Sequence, residues 1–178
     1  GVLKDSCIYK NGKIVSDYLK WFENGDLKYK AQYTRGEING TQVSYHKNRQ
    51  LKRKDIFKEG KLIKGKCYTA QGEDTTFYDY IILASFPGGE DKLFEYLGKN
   101  IKYTSKAKKS MISGTVYVKF VVDTDGSIYD VELARGIGGG LDEMAIKTVK
   151  SMPNWKPGYV DGVAKKSRFV LPFKFSLK

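Results

Sequence analysis

Side chains able to do covalent or acid–base chemistry are few in this chain, and their spacing argues against catalysis. His46 is the single histidine among 178 residues. A Ser-His-Asp or Cys-His set needs a base within hydrogen-bond reach of the nucleophile, and none can be assembled without His46, which sits at a turn signal. The carboxylates that cluster, Asp123, Asp125 and Asp130, are accounted for by the turn Asp123-Thr-Asp-Gly126. Cys7 and Cys67 form no CxxC and no Cys/His cluster, so no metal is expected. The glycine-rich run Arg135-Gly-Ile-Gly-Gly-Gly140 precedes a helix and raises phosphate binding. It has no GxGxxG spacing and no Walker lysine, and reads as a strand-to-helix connection. Catalytic residues and cofactors are therefore not expected.

Charge is the other candidate for chemistry. The net charge is +12, spread evenly over both halves of the chain. Binding to nucleic acid or an acidic membrane needs clustered charge, so a solvated basic surface is the simpler reading and nucleic acid is not expected as a partner. Lys47, Arg49, Lys52, Arg53 and Lys54 make one local basic run. A solvated hairpin tip explains it, although anionic headgroups would also suit it.

The elements follow from periodicity. Apolar residues make up 40% and charged residues 29%, with 13 Tyr, 9 Phe and 19 Gly, a composition that favours strands punctuated by turns. Ser113–Leu133 reads as a hairpin around Gly126. Val116, Val118, Phe120 and Val122 share one face of its first strand, and Tyr129, Val131 and Leu133 share one face of its second. Before it, residues 89–103 read as a helix with the stripe Leu93, Phe94, Leu97 and Ile101, and residues 102–112 as a basic loop. After it, Leu141–Met152 reads as a helix with Leu141, Met144, Ala145, Thr148, Val149 and Met152 on one face, stopped by Pro153. Trp155 is expected as a packing anchor. Ser167–Leu177 is the last strand, with Phe169, Leu171, Phe173 and Phe175 on one face.

Residues 1–84 carry a repeat. Tyr9-Lys-Asn-Gly12, Phe22-Glu-Asn-Gly25, Tyr33-Thr-Arg-Gly36, Tyr45-His-Lys-Asn48, Phe57-Lys-Glu-Gly60 and a looser Tyr68-Thr-Ala-Gln-Gly72 recur every 11 to 13 residues. An aromatic that ends a strand and a Gly or Asn that accepts left-handed backbone give one strand and one turn per repeat, hence an antiparallel meander. Asn48 is expected to stand in for Gly. The pattern resembles the MORN-type repeats of bacterial proteins, with Asn39-Gly40 and Lys64-Gly65 fitting the second glycine of that motif. Residues 73–84 read as a closing strand and linker.

Residues 85–178 carry aromatic-Pro (Phe86-Pro87), then Gly114-Thr-Val-Tyr-Val-Lys-Phe-Val-Val-Asp-Thr-Asp-Gly126, Leu141-Asp142 with Ala145, Trp155-Lys-Pro157, Gly162 and Phe173-Lys-Phe175. In this order they resemble the C-terminal domain of the TonB energy transducers. The fold class expected is α+β: an N-terminal β-meander of MORN-like repeats (1–84) and a TonB-like domain (85–178) with an antiparallel three-stranded sheet packed by two helices. The resemblance implies a periplasmic, non-catalytic module. It would grip an extended peptide of an outer-membrane transporter, of TonB-box type, by strand addition, and would work with an inner-membrane proton-channel complex. The last strand is the expected site. Pro172 has no N–H, so its nitrogen must face an unpaired edge, and Arg168, Val170, Pro172 and Lys174 are the expected peptide-binding residues.

Two departures bear on mechanism. No apolar run approaches the ~20 residues of a membrane span, and repeats stand where the family has a Pro-rich spacer. The chain begins at Gly1 without Met, and removal of a leader is expected. An upstream membrane helix would favour force transmission. A cleaved leader would favour an adaptor, or a scaffold that pairs or dimerises through exposed edges.

Overall fold

In the computed structural model, residues 4–177 are described. The chain divides into two compact units, one ending at Tyr78 and the other starting at Asp79.

The first unit is built of strands β1 (Asp5–Ser6), β2 (Tyr9–Lys10), β3 (Lys13–Ile14), β4 (Tyr18–Trp21), β5 (Leu27–Thr34), β6 (Glu37–Tyr45), β7 (Leu51–Lys58), β8 (Lys61–Tyr68) and β9 (Asp74–Thr75). Seven of them form one antiparallel sheet in the order β1-β4-β5-β6-β7-β8-β9, and β2 pairs with β3 separately. Turns of two kinds alternate. Asn11-Gly12, Arg35-Gly36 and Glu59-Gly60 each place two successive residues at positive φ, the geometry whose twist matches a tight hairpin. Phe22–Asp26, His46–Gln50 and Thr69–Glu73 instead close five-residue turns, with first-to-last N–H···O distances of 2.8, 2.9 and 2.8 Å. The structural unit is thus a hairpin of two sequence repeats. Successive hairpins are tied at one end by Gly36 N–H to Ile14 O and Gly60 N–H to Ile38 O, both 2.9 Å.

One face of this sheet buries a polar row. Tyr29 Oη donates to Gln42 Oε1 (3.1 Å), and Gln42 Nε2 donates to Asp55 Oδ2 (3.1 Å). Arg53 Nε donates to the same carboxylate oxygen. Arg53 and Asp55 are 1% and 0% exposed, and the guanidinium lies over the Phe77 ring, 4.8 Å from its centroid. Arg53 Nη1 also donates to Tyr78 O at 2.6 Å.

Three expectations are corrected here. The left-handed residue of the third repeat is Arg49 (φ 68), not Asn48. Asn48 instead braces the turn, accepting from Gln50 N–H through Oδ1 and donating to Ala70 O. The basic run does not form one solvated tip, because Arg53 points into the sheet and Arg49 pairs with Asp26 at 2.9 Å. Residues 73–84 divide: Asp74–Thr75 closes the repeat sheet beside β8, whereas Ile81–Ile82 joins the second unit.

The second unit contains β10 (Ile81–Ile82), α1 (Glu90–Asn100), α2 (Ser105–Lys109), β11 (Gly114–Val122), β12 (Ile128–Arg135), α3 (Leu141–Lys150), β13 (Gly158–Val160), β14 (Val163–Lys165) and β15 (Ser167–Phe175). It holds a three-stranded antiparallel sheet, β12-β11-β15, and a small one, β10-β13-β14. Val116, Val118, Phe120 and Val122 are buried as their alternation requires, with Phe173 and Phe175 from β15, Leu93 and Leu97 from α1, and Leu141, Ala145 and Val149 from α3. Trp155 is the anchor. Its ring centroid lies 5.8, 5.4 and 4.8 Å from those of Phe86, Phe120 and Phe169.

The hairpin turn fits against the Trp155 backbone. Gly126 N–H reaches Asp123 O (3.0 Å), and Gly126 O accepts from Trp155 N–H (2.8 Å). A Cβ at Gly126, which has φ +87, would run into the Trp155 carbonyl oxygen. The glycine-rich connection also has a tertiary reason. Asp142 takes the amides of Ile137 (2.8 Å) and Gly138 (3.1 Å) on its two carboxylate oxygens, so the loop wraps the chain's own anion. A side chain at Gly136 would displace that carboxylate. The Leu141-Asp142…Ala145 pattern is thereby explained: Leu141 and Ala145 are both 0% exposed, and Asp142 closes the loop.

Here too the structure departs from sequence expectation. Residues 102–112 include a short helix, α2, whose start is capped by Thr104 Oγ1 accepting from Ala107 N–H. Phe94 is 59% exposed and outside the α1 stripe. Tyr129 does not share a face with Val131. A bulge at Asp130, which adopts φ +50, puts Ile128 and Val131 on the core side and Tyr129 on the outer face. No helix among the described residues is long and apolar enough to cross a membrane.

Three outcomes follow. Gly126→Ala should lower stability by about 2–4 kcal/mol, from backbone strain plus the Trp155 contact, measured by denaturant unfolding. Asp142→Ala should expose the Ile137 and Gly138 amides to fast hydrogen exchange and cost about 1–3 kcal/mol. On α1, hydrogen bonds from Lys92 and Lys99, each 2.6 Å, hold Glu95 down to about 2 from its ordinary 4.5. A depressed carboxylate stabilises the fold above the unfolded value, and that contribution is lost as pH falls from 4.5 through about 2. An NMR titration of Glu95 should show the low midpoint in dilute buffer and a rise towards the ordinary value in high salt.

Candidate functional site

The site begins with the register of the last strand. β15 pairs with β11 from Gly114 opposite Phe175 to Val122 opposite Ser167 without a register shift. Phe169, Leu171, Phe173 and Phe175 turn towards the core, and Arg168, Val170, Pro172 and Lys174 lie exposed on the other face. The four residues expected from the sequence are thus brought together along one strand. No strand lies beyond β15 among the described residues, so it is an edge of its sheet.

Backbone direction on that edge follows from the proline. Pro172, opposite Tyr117, has no N–H to give β11. The pair therefore belongs at a position where neighbouring strands exchange no bonds. By alternation Arg168, Val170 and Lys174 share its backbone orientation, with N–H groups facing away from β11.

The two edges of this sheet differ. β12 is interrupted by register shifts around Asp130 and near Ala134, and residues at such shifts leave a neighbouring chain no continuous ladder. β15 is uninterrupted over nine residues.

On the outer face a shallow concavity of ≈ 410 Å³ lies between β11, β12 and β15, with Lys119, Glu132, Arg168 and Val170 in its lining. Lys119 Nζ stands 2.8 Å from Glu132 Oε2, and that hydrogen bond draws the Glu132 carboxyl below its usual value. Lys166 Nζ bridges Tyr129 Oη and Asp123 Oδ2, both at 3.1 Å. These contacts raise Lys166, with the Tyr129 bond first, and lower Asp123, chiefly through its bond from the Thr124 amide. Arg168 and Lys174 have no carboxylate partner among the described residues and stay available at the edge. The sequence reading missed Lys119, Glu132, Tyr129 and Lys166. The Asp130 bulge, which puts Tyr129 on this face, has no turn dipeptide to announce it.

Elsewhere, His46 does not face a nucleophile: its Nε2 lies 2.9 Å from Tyr68 O. Among the described residues no group of three or more His, Cys, Asp or Glu side chains converges as a metal site would.

No curated protein and no solved structure matches the chain. The sequence does match one family. Residues 99–177, from the end of α1 through β15, match the family of the Gram-negative bacterial TonB protein C-terminal, and this segment is a TonB C-terminal domain.

Proposed function

We propose that the chain is a TonB-like component of energy-coupled transport that works in the periplasm and binds an extended segment of an outer-membrane transporter. The segment is of TonB-box type and adds as a fourth strand beside β15. The observation that carries this reading is the contrast between the two sheet edges: β15 offers a nine-residue ladder without a bulge, and β12 does not. The family match over residues 99–177 supports the same partner class. Arg168, Val170 and Lys174 supply outward N–H groups, and Pro172 leaves one gap in the row. We read the first unit as MORN-type repeats that hold this domain in place of a spacer, and an inner-membrane proton-channel complex as the upstream partner.

A second reading is favoured by the same free edge. β15 of a second copy could occupy it, which would make the chain a dimerising scaffold without energy transduction.

Titration of a TonB-box peptide into the protein, followed by amide shifts, tests both. The Arg168, Val170 and Lys174 amides should move together. Val170→Pro removes a second donor and should weaken binding at least fivefold, about 1 kcal/mol per lost bond, whereas Pro172→Val should strengthen it by a similar factor. If the β15 amides stay still while others shift, strand addition at this edge is wrong. If they shift with protein concentration in the absence of peptide, the scaffold reading replaces transport.

A further inference from the structure

A groove in the first unit, unrelated to β15, collects charge that the chain leaves unneutralised. It has a volume of ≈ 730 Å³, and its lining includes Lys4, Lys20, Lys28, Lys47, Trp21 and Phe22. Elsewhere in this unit cations are paired: Lys30 with Asp17 at 2.7 Å, Arg49 with Asp26 at 2.9 Å and Lys66 with Asp74 at 2.9 Å. None of the four groove lysines has a carboxylate within ion-pair distance among the described residues. The groove does contain two acids, Asp5 and Glu23. The Asp5 carboxylate is engaged by the Tyr18 hydroxyl, which donates to Oδ2 at 3.0 Å.

Aromatic rings position two of these ammonium groups. Lys20 Nζ lies 5.1 Å from the Tyr18 ring centroid, and Lys28 Nζ lies 5.5 Å from that of Phe22. A fold gains nothing from gathering four like charges unless an anion joins them, so the site calls for a strongly anionic ligand. The ring faces of Tyr18 and Phe22 carry ammonium groups, which makes them poor platforms for stacking a nucleobase. Half-buried Trp21 beside lysines on flexible stems is instead the composition found at a bilayer interface, where the indole meets the first carbons and ammonium groups meet phosphate.

We propose that this groove binds the phosphate headgroup of an anionic phospholipid, with Lys4, Lys20, Lys28 and Lys47 taking the anion and Trp21 and Phe22 the adjoining apolar carbons. The sequence run Lys47–Lys54 contributes one residue, Lys47, and the other three lysines come from separate parts of the first unit.

The full chain, mixed with vesicles of phosphatidylglycerol in phosphatidylcholine at low salt, tests this by co-sedimentation and tryptophan fluorescence. Binding should shift Trp21 emission to the blue, a signal lost in Trp21→Phe, because Trp155 is buried in the second unit. The double variant Lys20→Gln/Lys28→Gln should lose at least tenfold in vesicle affinity. Lys106→Gln/Lys108→Gln removes equal charge from α2 and should lose less than twofold. Equal losses in both double variants would show diffuse charge attraction and overturn the proposal. So would binding to pure phosphatidylcholine, an equal Trp21 response to free glycerol phosphate, or stronger binding to a single-stranded oligonucleotide than to the vesicles. The readout is independent of the β15 edge, so Val170→Pro should leave it unchanged.

Discussion

Trp155 is the contact on which the second unit depends. Its ring meets Phe86 from the entering segment, Phe120 from the hairpin and Phe169 from the last strand. Its backbone N–H fixes the hairpin turn through Gly126 O. Each aromatic pair contributes about 0.5–1.5 kcal/mol beyond the area it buries. The same cluster therefore joins pieces of chain that are distant in sequence. Lys156, the next residue, exchanges two backbone hydrogen bonds with Ser85, at 3.0 and 2.8 Å, so the anchor also holds the start of the unit. With Phe169 and Phe173 committed inward, β15 is fixed in register on β11 and its other side remains open.

The first unit solves burial differently. A single sheet of short hairpins has little apolar material, and its covered face carries a polar row, Tyr29, Gln42, Asp55 and Arg53. A buried ion pair is a weak source of net stability, because desolvation offsets much of the attraction. What it does supply is register. A slip of one residue would turn Arg53 and Asp55 to the opposite face and leave the Gln42 amide without its acceptor. The alternating turns act in the same direction, since Gly36 and Gly60 each donate to the preceding hairpin.

Glycine-rich loop and strand edge illustrate one principle in opposite senses. The amides of Ile137 and Gly138 are satisfied internally by Asp142, so a loop that resembles an anion cradle has its anion already. The outward groups of β15 have no such internal partner among the described strands. Backbone groups that the chain leaves open on a regular strand form a template for another chain, and bulges such as those in β12 close that option.

Much of the architecture was legible in the sequence because it rests on local rules. The alternation from Val116 to Val122, the stripe of α3, the Gly126 turn and the inward phenylalanines of β15 all follow from periods of two and 3.6 and from the backbone freedom of glycine. Pro172 announced an edge because a missing N–H is a property of the residue itself. Other features were decided by tertiary structure. Tyr129 changed face because Asp130 takes a left-handed conformation opposite Phe120, and Arg53 went inward because Asp55, Phe77 and Tyr78 were there to receive it. Asn48 yielded the left-handed position to Arg49, whose guanidinium pairs with Asp26 in the neighbouring turn. The groove of lysines around Trp21 was hidden for the same reason. Its members come from separate strands and turns, and proximity in space between residues far apart in sequence leaves no periodicity to read.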